Sequence, residues 1–287
     1  MTLEELYQKC VQIIGSSSDT PTLDARIIAQ NVLNIELNSF ILHFKDIVSP
    51  SDAQTITDMA MRRAYGEPVA YLVGHRGFYE DDFKVNKYTL IPRADTETLV
   101  ELAVELGKNL PASPITILDL CCGTGCIGIS TAKALKRQDK NVELTLTDLS
   151  LEALDVCKEN ARNILKNIGV ECRFECGDLF ESVACDEFDM ILTNPPYIAT
   201  EVIGTLEEQV RHEPFLALDG GEDGLDLIRE ITSQAPEHLK SGGYLLMEIG
   251  YNQGSAVKAL FKKAGFEEVE VKKDLGGRDR VVKGRIR

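Results

Sequence analysis

Residues 115–128 read ITILDLCCGTGCIG, an apolar, β-branched run that ends in a glycine-rich turn. The run predicts a buried strand over Ile115–Leu120, and the turn predicts the start of a helix that continues to about Arg137. A second apolar stretch, Val142–Thr147, follows and ends at Asp148. A strand, a glycine-rich turn, a helix and a second strand ending in an acidic residue are typical of the first part of a doubly wound α/β domain.

Strands and helices continue to alternate after this first unit. Further strands are predicted over Val170–Cys176, Phe188–Leu192, Tyr244–Ile249, Phe266–Val271 and Val281-Val282. No helix is predicted between the last two strands, so one of them should run antiparallel to its neighbours. The predicted fold class is therefore α/β, with a Rossmann-like, mostly parallel sheet whose last strand is antiparallel, plus a small N-terminal helical bundle.

The first 66 residues have a helical pattern. Thr2–Glu5 reads as a capping box that opens a first helix, and Thr22 or Asp24 can cap a second. A third helix should end at Gly66. We expect these helices to pack into a bundle that occupies residues 1–66.

Residues 67–92 change to short alternating stretches, among them Tyr71–Val73, and acidic Glu80–Asp82 can form the turn of a hairpin. This pattern predicts a β-hairpin connector between the helical bundle and the α/β domain. The expected domain boundaries are thus 1–66, 67–92 and 93–287.

The bulk composition narrows the class of protein. Lys and Arg total 31 against 46 Asp and Glu, which gives a formal charge of −15 and disfavours direct binding to nucleic acid. The sequence contains no apolar run of ~18 residues that would predict a membrane span. The N-terminal residues lack a signal-peptide pattern. We therefore expect a cytoplasmic protein that does not act at a membrane.

Eight cysteines raise the possibility of a metal site. Their spacings include two C-x-x-x-C pairs, Cys122/Cys126 and Cys172/Cys176, but no paired C-x-x-C. We interpret them as small buried hydrophobic residues and predict no metal.

The glycine-rich turn and the acid after the second strand together predict a nucleoside site. Gly123, Gly125 and Gly128 have the G-x-G-x-x-G spacing, and Asp148 follows 20 residues after Gly128. The glycines allow a ligand to approach the backbone, and the acid can accept hydrogen bonds from ribose hydroxyls. A carboxylate at Asp119 would suit an ammonium and repel a pyrophosphate, which favours S-adenosylmethionine over a nicotinamide dinucleotide.

Residues 193–198 read TNPPYI and follow the predicted strand Phe188–Leu192. Two prolines restrict their own φ and that of the residue before each, so the chain leaves the strand as a rigid turn. Asn194 and the Pro195 carbonyl would offer two oxygen acceptors, and Tyr197 an aromatic surface. These groups suit a planar NH2 group held in line with the methyl group of the donor.

With these motifs the chain resembles the release factor glutamine methyltransferase family over nearly its whole length. The resemblance is carried by these segments: Gly66–Gly74, Leu90–Glu97, Asp119–Gly125, Asp148, Asn194–Tyr197, Glu213-Pro214, Asp223-Gly224, Glu248–Gly250 and Asp274–Val282. It implies methyl transfer from S-adenosylmethionine to the N5 atom of the glutamine in the Gly-Gly-Gln motif of peptide chain release factors, which tunes translation termination. It also implies that the N-terminal bundle docks the release factor.

The resemblance implies roles for individual residues. Asn194, Pro195 and Tyr197 are the candidate catalytic residues, and with Pro196 they would bind the glutamine. The candidate cofactor-binding residues are Arg93, Thr96, Cys121, Cys122, Gly123, Thr124, Gly125, Asp148, Asp178, Leu179 and Asn194. Position 179 departs from relatives that carry a tryptophan there.

Other functions stay open at this stage. A nucleic-acid methyltransferase that modifies N6 of adenine or N4 of cytosine would use the same Asn-Pro-Pro-Tyr motif, but no basic groove is evident. A binding protein with an inactive cofactor fold would not need Asn194 or the loop glycines. A nicotinamide dehydrogenase would need a catalytic Tyr-x-x-x-Lys or His, and none stands out.

Overall fold

The structure is a computed structural model that describes residues 1–111 and 114–287. Its helices are α1 Leu3–Ile14, α2 Pro21–Leu33, α3 Pro50–Ala64, α4 Val69–Val73, α5 Glu97–Asn109, α6 Cys126–Lys136, α7 Leu151–Ile164, α8 Thr200–Ile203, α9 Glu208–Arg211, α10 Asp226–Gln234 and α11 Gly254–Lys263. Its strands are β1 His75–Phe78, β2 Asp81–Lys84, β3 Ile115–Leu120, β4 Val142–Asp148, β5 Glu171–Cys176, β6 Phe188–Thr193, β7 Leu239–Glu248, β8 Glu267–Lys273 and β9 Asp279–Arg285.

Seven strands form one sheet in the order β5-β4-β3-β6-β7-β9-β8. The pairs from β5 through β7 are parallel, whereas β9 pairs antiparallel with both β7 and β8. The predicted mostly parallel, doubly wound sheet with an antiparallel last strand is therefore confirmed. The chain reverses its winding between β4 and β6, on either side of β3, which is where such sheets bind their ligands.

Helices cover both faces of the sheet. Successive side chains of a strand point to opposite faces, so each strand contributes to two cores. One face packs on α5, α6 and α7 and includes Ile115, Ile117, Leu144, Leu146, Met190, Leu192 and Leu246. The other face packs on α10 and α11 and includes Leu118, Leu120, Ile191, Leu245, Met247 and Val282. This two-sided burial explains why β3, β4 and β6 carry buried apolar side chains on both faces.

The chain divides into two compact units. The first comprises Met1–His75 together with Leu206–His212, and the second comprises Arg76–Thr205 and Glu213–Arg287. The division at residue 75 falls within the segment 67–92 that the sequence predicts as a connector. The sequence does not predict that seven residues of the second half belong to the first unit.

Helices α1 to α4 and the short α9 form the first unit. Its core contains Leu3, Leu6, Cys10, Ile14, Ala25, Ile28, Ala29, Phe40, Val48, Ile56, Met59 and Ala60. The capping box at Thr2 and Glu5 is present, and α1 ends before Gly15, whose φ is 46°. A helix-rich N-terminal part is therefore correctly predicted.

The structure corrects the predicted start of the second helix. Helix α2 begins at Pro21 after Thr20, and neither Thr22 nor Asp24 caps it. The Asp24 carboxylate is buried and accepts hydrogen bonds from Arg63 Nε and Ser18 Oγ, both at 2.7 Å. Asp24 is thus the partner of a buried arginine, and its position in the first turn is also favourable to the helix dipole.

The prediction that Tyr71–Val73 is extended is wrong. These residues lie in α4, which Pro68 precedes and which ends at Gly74 in the left-handed conformation. Three residues are too few to distinguish an alternating pattern from one turn of helix. The hairpin is formed by β1 and β2, and it turns at Tyr79 and Glu80 rather than at Glu80–Asp82.

Within residues 1–111 and 114–287, no helix combines the length and the apolar character needed to cross a membrane.

Candidate active site

A cavity of about 670 Å³ lies in the second unit, at the carboxyl ends of β3, β4, β5 and β6. Its walls include Leu120 at the end of β3, Thr147 at the end of β4, Cys176 at the end of β5 and Asn194 directly after β6. The volume is in the range of a site for a small molecule or cofactor. This is the edge at which doubly wound sheets bind nucleotides and related ligands.

The turn between β3 and α6 forms one wall of this cavity. Cys121, Gly123 and Gly125 all have positive φ, at 58°, 52° and 77°. A Cβ atom at Gly125 would lie 2.6 Å from the Cys157 sulfur, so glycine is required there by packing as well as by conformation. A Cβ atom at Gly123 would meet no protein atom within 4 Å, and Gly123 borders the cavity. The backbone at Gly123 is therefore open to a ligand.

Asp148, the last residue of β4, holds this turn and borders the cavity. One carboxylate oxygen accepts from the Gly123 N–H at 2.8 Å, and the other accepts from the Ser150 N–H at 2.9 Å. Burial raises the pKa of Asp148, and the hydrogen bonds from Ser150 and Gly123 oppose that rise. A carboxylate in this position can still accept from ribose hydroxyls, since each oxygen has two lone pairs.

Asp119 lies at the end of β3 but does not line the cavity. Its side chain is fully buried, one oxygen accepts from the Gly128 N–H at 2.8 Å, and the other has no hydrogen-bond partner in the protein. Burial raises the pKa of Asp119 to about 8, so the group is mostly neutral at neutral pH. The structure therefore does not support the prediction that a charge at Asp119 discriminates between an ammonium and a pyrophosphate.

The Asn-Pro-Pro-Tyr stretch begins at the same edge because β6 pairs directly with β3. Asn194 is half-buried and lines the cavity together with Pro196. Pro195 is buried, Tyr197 is half-buried, and neither of them lines the cavity. The amide side chain that ends the strand thus lies in the wall of the cavity that the glycine turn borders.

The lining of the cavity also contains Arg93 and the segment Pro214–Ala217. The buried carboxylate of Glu213 accepts from the Ile91 N–H at 2.9 Å and forms an ion pair with Arg93. Burial raises the pKa of Glu213, whereas Arg93 and the Ile91 N–H lower it. One buried carboxylate therefore holds together two chain segments about 120 residues apart.

The structure brings most of the sequence-predicted site residues to this one cavity. Its lining includes the predicted residues Arg93, Thr96, Cys121, Cys122, Gly123, Thr124, Asp148, Asp178, Leu179, Asn194 and Pro196. Three predicted residues, Gly125, Pro195 and Tyr197, lie behind the lining. Leu179 has a φ of 44°, which is uncommon for a branched residue.

Other residues of the lining were not predicted as part of the site. They include Tyr88, Leu90, Leu149, Leu151, Glu152, Cys176, Gly177, Pro214, Phe215, Leu216 and Leu227. Those beside Asp148 could have been found from their position after a strand end. Phe215 and Leu216 have no motif of their own, although their large exposed fractions, 53% and 70%, are unusual for apolar side chains.

Among the residues that the structure describes, no group of three or more His, Cys, Asp or Glu side chains is arranged to hold a metal ion. The cysteines are free thiols, and Cys10, Cys122, Cys126 and Cys157 are buried. Cys121 and Cys172 are half-buried, whereas Cys176 and Cys185 are exposed, so the interpretation as buried hydrophobic residues is wrong for these last two. The sulfur atoms of Cys122 and Cys157 lie 3.8 Å apart in the interior, and burial raises the pKa of Cys122 well above its ordinary value. A buried protonated thiol packs as a small apolar residue.

The sheet order, the glycine turn, the acid after β4 and the amide after β6 define a Rossmann-like methyltransferase. The Methyltransferase small domain family model matches residues 102–277, and the PrmC N-terminal domain model matches residues 5–74. A methyltransferase from Pyrococcus furiosus shares the fold, with a TM-score of 0.50 and 17% identity over 71% of this chain and 88% of that chain.

Relatives of higher identity narrow the class to one family. The chain is 40% identical to the release factor glutamine methyltransferase of Caulobacter vibrioides over 93% of its own length and 90% of that protein. It is 37% identical to the protein of the same name from Salmonella typhimurium, with 94% of each chain covered. The chain belongs to the release factor glutamine methyltransferase family.

Proposed function

We propose that this chain transfers a methyl group from S-adenosylmethionine to the N5 atom of the glutamine in the Gly-Gly-Gln motif of peptide chain release factors. This methylation would tune translation termination in the cytoplasm. The observation that carries the proposal is the position of Asn194, which lies at the wall of the cavity that Gly123 and Asp148 border. Family membership supports the same substrate, because the relatives are named release factor glutamine methyltransferases.

The residues of the cavity fit S-adenosylmethionine. Gly123 leaves its backbone open, and Asp148 supplies a carboxylate for ribose hydroxyls. Leu179 and Asp178 lie beyond β5, where an apolar side chain and a carboxylate can contact the adenine ring and its amino group. Arg93 and Thr96 are proposed to lie near the methionine end. When bound, the donor supplies a methyl group on a positively charged sulfur.

Asn194 and its neighbours are proposed to bind the acceptor glutamine. The Asn194 side-chain oxygen and the Pro195 carbonyl would accept the two N–H hydrogens of the glutamine amide. An amide nitrogen is a weak nucleophile, so holding it in the correct orientation contributes through proximity. The same two acceptors favour the positive charge that develops on nitrogen during transfer. The rigid Pro-Pro turn keeps both acceptors in place without further ordering.

The first unit is proposed to dock the release factor. Three of its apolar side chains, Ile41, Leu42 and Ile47, are exposed to 73%, 81% and 76%. Large exposed apolar residues in a short stretch of chain are a feature of interaction surfaces. A docked body would raise the local concentration of the Gly-Gly-Gln loop at the cavity.

The experiment that tests this function is transfer of labelled methyl groups to purified release factor, followed by mass spectrometry of the Gly-Gly-Gln peptide. We expect the wild type to label that glutamine. We expect Asn194→Ala to reduce kcat by ~100-fold or more, because it removes an acceptor that acts in the transition state. The affinity for S-adenosylhomocysteine, measured by calorimetry, should change by only a few fold.

The matched control is Asn109→Ala, which removes an exposed asparagine at the end of α5 and should leave kcat unchanged. Labelling of DNA or RNA in place of the release factor would overturn the proposed substrate. Normal turnover by Asn194→Ala would overturn the proposed role of Asn194.

A further inference from the structure

Tyr197 is held from both ends by one short segment of chain. Its hydroxyl donates to Glu248 Oε1 at 3.3 Å, and its main-chain carbonyl accepts from Gln253 Nε2 at 3.0 Å. Glu248 is the last residue of β7, and Gln253 precedes α11. Neither of these partners lines the cavity, so each acts on the site through its neighbours. Tyr197 is the neighbour that they share, and Glu248 also interacts with the side chain of Thr96, which lines the cavity.

The Gln253 side chain acts as a bracket with three hydrogen bonds. Its Nε2 donates to the carbonyls of Tyr197 and Gly224, at 3.0 and 3.1 Å, and its Oε1 accepts from the Gly250 N–H at 2.8 Å. A Cβ atom at position 224 would lie 2.4 Å from the Tyr197 carbonyl oxygen. Only glycine therefore allows the two carbonyls to share one amide group.

Glu248 is a carboxyl group with 1% exposure. Oε1 accepts from Tyr197, whereas Oε2 is buried without a hydrogen-bond partner in the protein. The charged groups that act on it are Arg280 and Asp95, and burial raises its pKa to about 7. Thr96 and Tyr197 oppose this rise in the pKa of Glu248 through side-chain hydrogen bonds, and burying a carboxyl costs free energy that such bonds offset.

The sheet places Glu248 beside the Asn-Pro-Pro-Tyr turn. Strands β6 and β7 are parallel and pair Thr193 with Met247. Asn194, directly after β6, and Glu248, the last residue of β7, therefore lie side by side at the carboxyl ends of the two strands. Tyr197 follows three residues after Asn194, and its hydroxyl donates a hydrogen bond to Glu248. This bond ties the end of the Asn-Pro-Pro-Tyr turn to the end of β7.

From these contacts we infer that Glu248 and Gln253 are positioning residues for the methyl acceptor site. They hold Tyr197 by its hydroxyl and its carbonyl, and through Tyr197 they set the position of Asn194 and the Pro195 carbonyl. This inference rests on the proposed function, because it assigns the two residues to the reaction that Asn194 serves. An error of about 1 Å in such a group can reduce the rate by ~100-fold.

A double-mutant cycle tests the contact between the hydroxyl and the carboxyl. We expect Tyr197→Phe and Glu248→Ala each to lower kcat by ~10-fold, with the KM for S-adenosylmethionine changed by less than about twofold. The double variant should be no slower than the slower single variant, because both remove one shared contact. Glu248→Gln keeps a carbonyl acceptor and should recover most of the loss.

The control is Tyr251→Phe, which removes the hydroxyl of an exposed tyrosine in the same segment and should leave kcat unchanged. Gln253→Glu provides a second test in which the side chain keeps its size. It replaces the bridging NH2 group with an oxygen, and we expect it to lower kcat by ~10-fold while S-adenosylhomocysteine still binds.

The free energy of unfolding by urea is measured for the same single and double variants, since this quantity does not depend on the substrate. If the wild type fails to label release factor, the proposed function fails, while coupling in the urea cycle still reports the contact. If the wild type is active but the losses in kcat multiply, or the single variants turn over normally, the positioning role is overturned. A variant that no longer binds S-adenosylhomocysteine would show a structural role and would also overturn it.

Discussion

The two sides of the cavity are built in different ways. The loop side consists of the turn Cys121–Gly125 and Asp148, which come from adjacent strands and are joined by the hydrogen bond from Gly123 to Asp148. The assembled side consists of Arg93 and Pro214–Ala217, which are distant in sequence and are joined through the buried carboxylate of Glu213. The loop side is held by restricted backbone angles and a hydrogen bond between adjacent strands, and the assembled side by a buried carboxylate that joins distant segments.

This difference has a consequence for how each side tolerates change. Positive φ angles and close packing restrict residues one by one on the loop side, as at Gly125. On the assembled side a single group, Glu213, serves both segments. Damage to the loop side should therefore affect cofactor binding, whereas damage to the assembled side should affect the geometry of the site as a whole.

Among changes that separate the two sides of the cavity, the largest effect is expected at Asp148. Asp148→Ala removes the acceptor for the Gly123 N–H together with the carboxylate proposed to bind ribose. We expect the Kd for S-adenosylhomocysteine, measured by calorimetry, to rise by ~10- to 100-fold, since hydrogen bonds to a charged group contribute ~1.5–3 kcal/mol. The matched control is Glu143→Gln, an exposed position on the same strand. Unchanged affinity in Asp148→Ala would mean that the loop side does not hold the cofactor.

A smaller effect is expected at Glu213. Glu213→Gln keeps an acceptor for the Ile91 N–H but removes the ionic partner of Arg93. We expect kcat/KM for release factor to fall by ~10-fold while the Kd for S-adenosylhomocysteine changes less, since one partner of a buried ion pair is lost.

The control for Glu213 is Glu80→Gln, which breaks the exposed ion pair with Arg137 and should have almost no effect. A loss of cofactor affinity in Glu213→Gln as large as that in Asp148→Ala would remove the distinction between the two sides.

The smallest effect on activity is expected at Asp119, whose carboxyl group accepts a hydrogen bond from the Gly128 N–H in the first turn of α6. Because its folded-state pKa is raised to about 8, the native protein binds this proton more tightly than the unfolded chain does. The contribution of Asp119 to stability is therefore present at low pH and is lost as the pH rises from about 4 to about 8. The slope is ~1.4 kcal/mol per pH unit for a fully shifted group.

Asp119→Asn should remove this dependence. We expect the variant to gain stability relative to the wild type between pH 5 and pH 8, as measured by urea unfolding, with kcat changed by less than about threefold. The exposed Asp155→Asn on α7 is the control and should follow the wild type at every pH. A constant difference between Asp119→Asn and the wild type would show that the carboxyl is ionised in the native protein.

Local patterns were enough to predict the parts of the molecule in which neighbouring residues act together. The glycine turn, the acid after β4 and the capping box of α1 are of this kind, because backbone conformation and local hydrogen bonds decide them. The Pro-Pro turn after β6 also follows from local restrictions on φ. At Tyr71–Val73 the local signal was too short, and the prediction was wrong.

Contacts between distant residues were beyond these patterns. Nothing in the sequence near Glu213 indicates that its carboxylate meets Ile91 and Arg93. The same is true of Glu248 and Gln253, whose partner Tyr197 lies about 50 residues earlier. Such pairs depend on which strands become neighbours, and the order β3-β6-β7 is a property of the whole sheet.

The sequence by itself determined the α/β class, the glycine turn with its acidic partner and the rigid amide-bearing turn, because each depends on backbone restrictions within a few residues. Only the tertiary structure decided that Asp119 is a fully buried carboxyl with a raised pKa, and that Glu213 joins Arg93 and Ile91 to the segment Pro214–Ala217. The reason is physical: burial and charge depend on what surrounds a side chain, and those surroundings come from strands far apart in the chain.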